Sequence, residues 1–161
     1  MAFPIPSKRR LLAAFALTAA FSAPAMAAGS VEMQVEHLVK QAMAEYNTAM
    51  EANDSASFAK YFASNATVET PTGRFSGRKD IAKYFESEFK TFKATYDVKK
   101  TMVQGSSAAI VIVWEGTDRS SGDALKVEMV GVYDVGSSGQ FSAARYYYDS
   151  AKAKALADLS K

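Results

Sequence analysis

Two side chains carry the chemistry this sequence offers: Tyr46, a phenol on a helical stretch, and Asp118, a carboxylate near the end of a strand-like run. A phenol can donate a hydrogen bond to a ligand carbonyl, and a carboxyl drawn into an apolar pocket can exchange protons once burial raises its pKa. Each residue also has a plainer place. Tyr46 suits a core position with its hydroxyl bonded to nearby backbone. Asp118 stands beside Arg119-Ser120-Ser121-Gly122, where a solvated hairpin end is the ordinary home of an aspartate. The chain has no cysteine, which removes thiolate chemistry and cysteine-held metal. His37 is the only histidine and sits beside Leu38 as a surface helical residue, so a histidine metal cluster is excluded. No metal and no cofactor is expected.

The elements that would position these groups begin after residue 27. Lys8-Arg9-Arg10, the apolar run from Leu11 to Ala23 and Ala25-Met26-Ala27 form the three parts of a secretory signal, with cleavage expected before Ala28. The apolar run is too short to span a bilayer, which takes about 20 residues. A periplasmic or secreted location follows as the expectation. Without the leader, 16 basic residues face 17 acidic ones. A nearly neutral chain without blocks of like charge has no electrostatic footprint for nucleic acid or an anionic membrane. Residues 28–161 are of single-domain size, with a core over about 31–149 and an Ala/Lys-rich tail at 150–161 expected as a loosely held helix.

Ser30 can cap a long helix whose apolar positions Val31, Val35, Leu38, Ala42, Met43, Tyr46, Ala49 and Met50 recur three or four residues apart. Asn53-Asp54 breaks it, and Asp54 can cap a short second helix presenting Phe58, Tyr61 and Phe62. A strand over 66–70 leads to the turn Pro71-Thr72-Gly73. Ser76-Gly77 then opens a third helix with the stripe Ile81, Phe85, Phe89 and Phe92, and with Lys83, Glu86 and Lys90 toward water. Four strands follow at about 94–104, 108–118, 125–134 and 139–149, joined by Gly/Ser turns and therefore antiparallel. The fold class is α+β: three N-terminal helices packed on a curved, mainly antiparallel sheet forming a cone with a pocket.

This order resembles the nuclear transport factor 2-like superfamily, and within it the SnoaL-like and ketosteroid-isomerase-like proteins. Tyr46 and Asp54 reproduce the spacing between the hydrogen-bonding tyrosine of the isomerases' first helix and the aspartate that starts their second. The catalytic carboxylates depart. Thr70 stands where the isomerases place their proton-shuttling acid, and Met129 where they place their oxyanion-binding acid. A threonine hydroxyl is no base near neutral pH, and methionine donates no hydrogen bond. The stretch Gly131-Val132-Tyr133 through Arg145-Tyr146-Tyr147-Tyr148-Asp149 is similar to limonene-epoxide hydrolases, whose Asp-Arg-Asp set maps to Asp118, Gly116 and Tyr146.

Alternation along strands leaves two choices of inward face, and the resemblance selects Trp114, Asp118, Met129, Tyr146 and Tyr148. The implied ligand pocket comprises Tyr46, Thr70, Trp114, Met129, Tyr146 and Tyr148. On the opposite face Phe141, Arg145 and Tyr147 are implied as a homodimer surface, while Glu69 and Glu128 fall on the non-cavity parity. Three readings stand side by side. The first is an exported domain binding a small, largely apolar molecule without ketosteroid-isomerase activity. The second is an isomerase or hydrolase with a different constellation, such as Asp118 with Tyr46 or Tyr146. The third is a dimeric interaction module whose interior is only core.

Overall fold

Val35, Val39, Ala42, Met43, Tyr46, Ala49 and Met50 are all buried, so one continuous stripe seats the first helix, α1 (Ala23–Ala52), against the rest of the molecule. The computed structural model describes the backbone over residues 23–151, 153 and 154, and side chains from residue 29. The expected leader lies largely outside the described residues, as does most of the expected tail helix. α1 begins seven residues before Ser30, which therefore lies inside it rather than capping it. The segment from Ala23 to Ala28 is rich in alanine, the strongest helix former, and its Pro24 falls in the first turn, where proline is tolerated.

Asp54 caps α2 (Ser55–Ala59) as expected, accepting from the Ser57 amide at 3.0 Å. The helix is shorter than its aromatic residues suggest. Phe62, expected on α2, instead opens β1 (Phe62–Thr70), which turns through Pro71-Thr72 into β2 (Gly73–Ser76). Gly77, with φ +83°, then starts α3 (Arg78–Thr91), a backbone conformation that glycine adopts without strain. Phe92 leaves that helix in extended conformation and begins β3 (Phe92–Gln104). The remaining strands are β4 (Ser107–Asp118), β5 (Ala124–Val135) and β6 (Phe141–Tyr147).

The sheet order is β2-β1-β6-β5-β4-β3. All neighbours pair antiparallel except β1 with β6, which run parallel. Three helices thus pack on a curved, unclosed six-stranded sheet. Asn47 fastens α1 to β3 by copying a strand's pairing: its amide donates to the Tyr96 carbonyl at 3.2 Å, and its side-chain oxygen accepts from the Tyr96 amide at 2.8 Å.

The inward parity on β4 and β5 agrees with expectation, with Ile110, Ile112 and Trp114 buried on one strand and Val127, Met129 and Tyr133 on the next. Phe141 differs. It was expected beside Arg145 and Tyr147 on the outer face, yet it is fully buried against Phe62 and Tyr133. The register shifts between Asp134 and Val135 where β5 meets the start of β6, and an irregularity of that kind reverses which face a residue joins.

Candidate functional site

Glu88 lies seven residues after Ile81 and three after Phe85, on the apolar stripe of α3, and only 2% of it is exposed. Its Oε1 is the meeting point of three elements. The Tyr46 hydroxyl, from α1, donates to it in a short hydrogen bond. The Trp114 indole N–H, from β4, donates to it at 2.9 Å and also to the Tyr46 hydroxyl at 3.0 Å. The indole can lie there because residue 116, two positions along the same inward face, is glycine. A Cβ on Gly116 would meet the ring at 2.2 Å.

These two donors favour the charged carboxylate, and burial opposes it. Burial prevails, pushing the Glu88 pKa up to about 7. No cation enters that balance, only Tyr46 and Trp114. Around the carboxyl, Tyr46, Tyr84, Tyr96 and Tyr133 have phenols raised well above the ordinary value, with burial the first cause and the Glu88 charge adding to it. Tyr146 follows the same direction for the same leading reason. The Tyr96 ring stacks on Tyr46 at 3.7 Å between centroids, and the Tyr133 hydroxyl donates to that of Tyr146 at 3.0 Å. A carboxyl that exchanges a proton near neutrality, inside a shell of neutral phenols, is equipped for hydrogen bonding and proton transfer.

The six residues expected to line a pocket divide between two places. Thr70, Tyr146 and Tyr148 join Glu69, Pro71, Arg145 and Tyr147 around a cleft of about 270 Å³, where the end of β6 passes the β1–β2 turn. The Tyr148 hydroxyl is buried there without a hydrogen-bond partner. Thr70 and Thr72 are near enough to favour its anion, but neither meets hydrogen-bond geometry, and burial still raises its pKa. Tyr46, Trp114 and Met129 lie deeper, packed in the aromatic core.

Asp118 is no pocket acid. Its carboxylate accepts from the Ser120 amide and hydroxyl and from the Ser121 amide, so it folds the β4–β5 turn. Those bonds hold its pKa below the usual carboxylate value. Glu69 pairs with Arg74 at the surface, in keeping with its outward parity. Among the described residues, no group of three or more His, Asp or Glu side chains could hold a metal ion, and no helix is long and apolar enough to cross a membrane.

Glu88 was not among the expected site residues, although the sequence carries a signal for it. A carboxylate at the helical repeat of Ile81 and Phe85 must either break the stripe or be buried with partners. The partners, 42 and 26 residues away, are visible only in three dimensions.

The model of the SnoaL-like domain matches residues 43–144, which include all of the Tyr46, Glu88 and Trp114 cluster. No curated protein matches the sequence. Among solved structures, a SnoaL-like protein from Jannaschia Sp. CCS1 is similar, with a TM-score of 0.68 and 16% identity over 79% of this chain and 94% of that one. The epoxide hydrolase/cyclase-like enzyme SalBIII, of pyran ring formation in salinomycin, has a TM-score of 0.62 and 22% identity over 74% of this chain and 96% of its own. A Mycobacterium tuberculosis protein in complex with estradiol-17β-hemisuccinate has a TM-score of 0.60 and 15% identity, covering 70% of this chain and 94% of that protein.

Proposed function

The chain belongs to the SnoaL-like domain family, and on that scaffold we propose that it is an exported protein binding a small, largely apolar molecule in the cleft at Thr70, Tyr146 and Tyr148 and the aromatic interior behind it. The observation that carries this reading is the Tyr148 hydroxyl, buried in the cleft wall without a partner. A buried polar group left unpaired costs about 1–3 kcal/mol. A ligand oxygen or nitrogen seated in the cleft would offset that cost. Apolar walls with a few polar anchors are the usual make-up of a small-molecule site. The estradiol-17β-hemisuccinate complex supports carriage of a small molecule by this kind of scaffold. Ketosteroid isomerisation is not part of the proposal, since the resemblance puts Thr70 and Met129 at the positions of its two acids.

Native mass spectrometry of the protein from its exported fraction tests both halves. The expected result is a chain beginning at Ala28 with a stoichiometric small adduct released on denaturation. A chain retaining residues 1–27 overturns export. A bare polypeptide that takes up no compound from a cell extract overturns binding.

A second reading concerns the outer sheet face. Tyr147 is 56% exposed, and Val130, its partner in the β5–β6 ladder, is 36% exposed. Large apolar side chains paired on an open sheet face suit an interface between two copies, with Arg145 at its side. Sedimentation is expected to show a dimer that Tyr147→Lys converts to a monomer. A wild-type chain that remains monomeric at high concentration removes this reading.

A further inference from the structure

We infer that the cleft between α1 and the edge strand β3 is a second binding site, separate from the one at Tyr148, and that it takes a single-chain anionic amphiphile, such as an alkyl carboxylate of medium length.

α1 and β3 lie side by side and are tied at two levels. Asn47 holds both backbone groups of Tyr96, and the Glu32 carboxylate accepts from the Gly105 amide, just past the end of β3, at 3.0 Å. Between these ties the helix rises about 22 Å, whereas an extended strand covers about 30 Å over its own share. The strand has the longer path. It takes up the excess by bowing at a β-bulge, where the register slips between Val98 and Lys100 and Lys99 has no partner residue on β4. A cleft of about 330 Å³ opens at that point, with Val39, Lys40 and Met43 on the helix side and Val98, Lys99 and Lys100 on the strand side.

Floor and rim differ in chemistry. Val39 and Met43 stand one turn apart on the buried stripe of α1 and, with Val98, make an apolar floor. The rim carries three ammonium groups. Lys40 is paired with Glu36 at 2.7 Å and Lys99 with Asp97, and both lysine side chains are more than half exposed. Lys100 has no ion pair among the described residues, so these five charges leave one positive in excess. Exposed pairs of this kind are worth about 0–1 kcal/mol, and their lysines turn toward a new anion at little cost. Lysines and a bulge are also an ordinary means of keeping other strands from an open sheet edge. That role accounts for Lys99 and Lys100, but not for Lys40, which α1 brings to the same rim, nor for the apolar floor beneath. An alkyl chain on Val39, Met43 and Val98, with its anionic head among the lysines, fits both. At the packing density of protein interiors the volume admits a chain of roughly ten carbons.

Titration of the mature protein with decanoate, followed by NMR of labelled methionine methyl groups, tests this, with decanol and decyltrimethylammonium as neutral and cationic counterparts. Met43 lines the cleft, and Met129 reports on the interior. Decanoate is expected to shift the Met43 methyl and leave that of Met129 in place, and to bind more tightly than either counterpart. Lys100→Glu is expected to weaken decanoate roughly fivefold and to leave decanol unchanged. Salt raised to about 0.5 M is expected to weaken decanoate but not decanol. Circular dichroism confirms that the variant is folded. A shift at Met129 without one at Met43, equal affinity for decanoate and decanol, no shift short of micelle formation, or decanoate affinity unchanged in Lys100→Glu overturns the inference. The native mass spectrum reads the Tyr148 cleft separately, so failure here leaves that reading standing.

Discussion

Glu88→Gln is expected to remove most of the loss of stability that the wild type suffers between about pH 4.5 and about pH 7. The folded-state pKa lies above the value of 4.5 for an unperturbed glutamate, so the folded chain binds more protons than the unfolded chain across that window. The stability tied to the protonated carboxyl is therefore fully present below the unfolded pKa and is lost as pH rises through the folded one. A shift of this size corresponds to about 3 kcal/mol, level again once both states are ionised. Glutamine keeps an oxygen to accept from Tyr46 and Trp114 but carries no proton to lose.

Other groups act in the opposite sense and do not obscure the result. Asp54, Asp118 and Asp134 have depressed pKa values and lose stability as pH falls. They are present in both proteins, so the difference between urea denaturation curves of wild type and variant isolates Glu88. A difference that stays constant from acid to neutral pH would mean that Glu88 does not titrate in this range.

Tyr46→Phe is expected to cost about 1–3 kcal/mol above the pKa of Glu88 and less below it. The phenol both donates to Glu88 and accepts from Trp114, so phenylalanine leaves the ionised, buried carboxyl with a single donor. The neutral carboxyl needs that bond less. Since the Tyr46 hydrogen bond holds the Glu88 pKa down, its removal moves the titration upward. Trp114 is the only tryptophan and bonds directly to Glu88, so its emission follows the protonation state. The expected outcome is a fluorescence midpoint at higher pH than in the wild type, together with a loss of stability that grows toward alkaline pH. A midpoint that falls or stays in place would show that another group carries the proton.

The sequence by itself determined the helices and the antiparallel meander, because each follows from local periodicity, whereas alternation left two possible inward faces for β4 and β5 and only the family resemblance chose between them. A stripe repeating at three or four residues has one way to be buried, and Gly/Ser turns between alternating runs leave few ways to pair. It also determined the roles of Asp54 and of the hairpin around Asp118, where a short polar side chain bonds to backbone two or three residues away. Tertiary structure decided the rest. The parallel pairing of β1 with β6 joins segments far apart in the chain, and the shift at Asp134 and Val135 turned Phe141 into the core. Glu88 was decided the same way. Its position on the stripe was legible, but whether a carboxyl there is tolerated depends on hydrogen-bond donors brought from two other elements, and desolvation acts on whatever the whole fold closes around it.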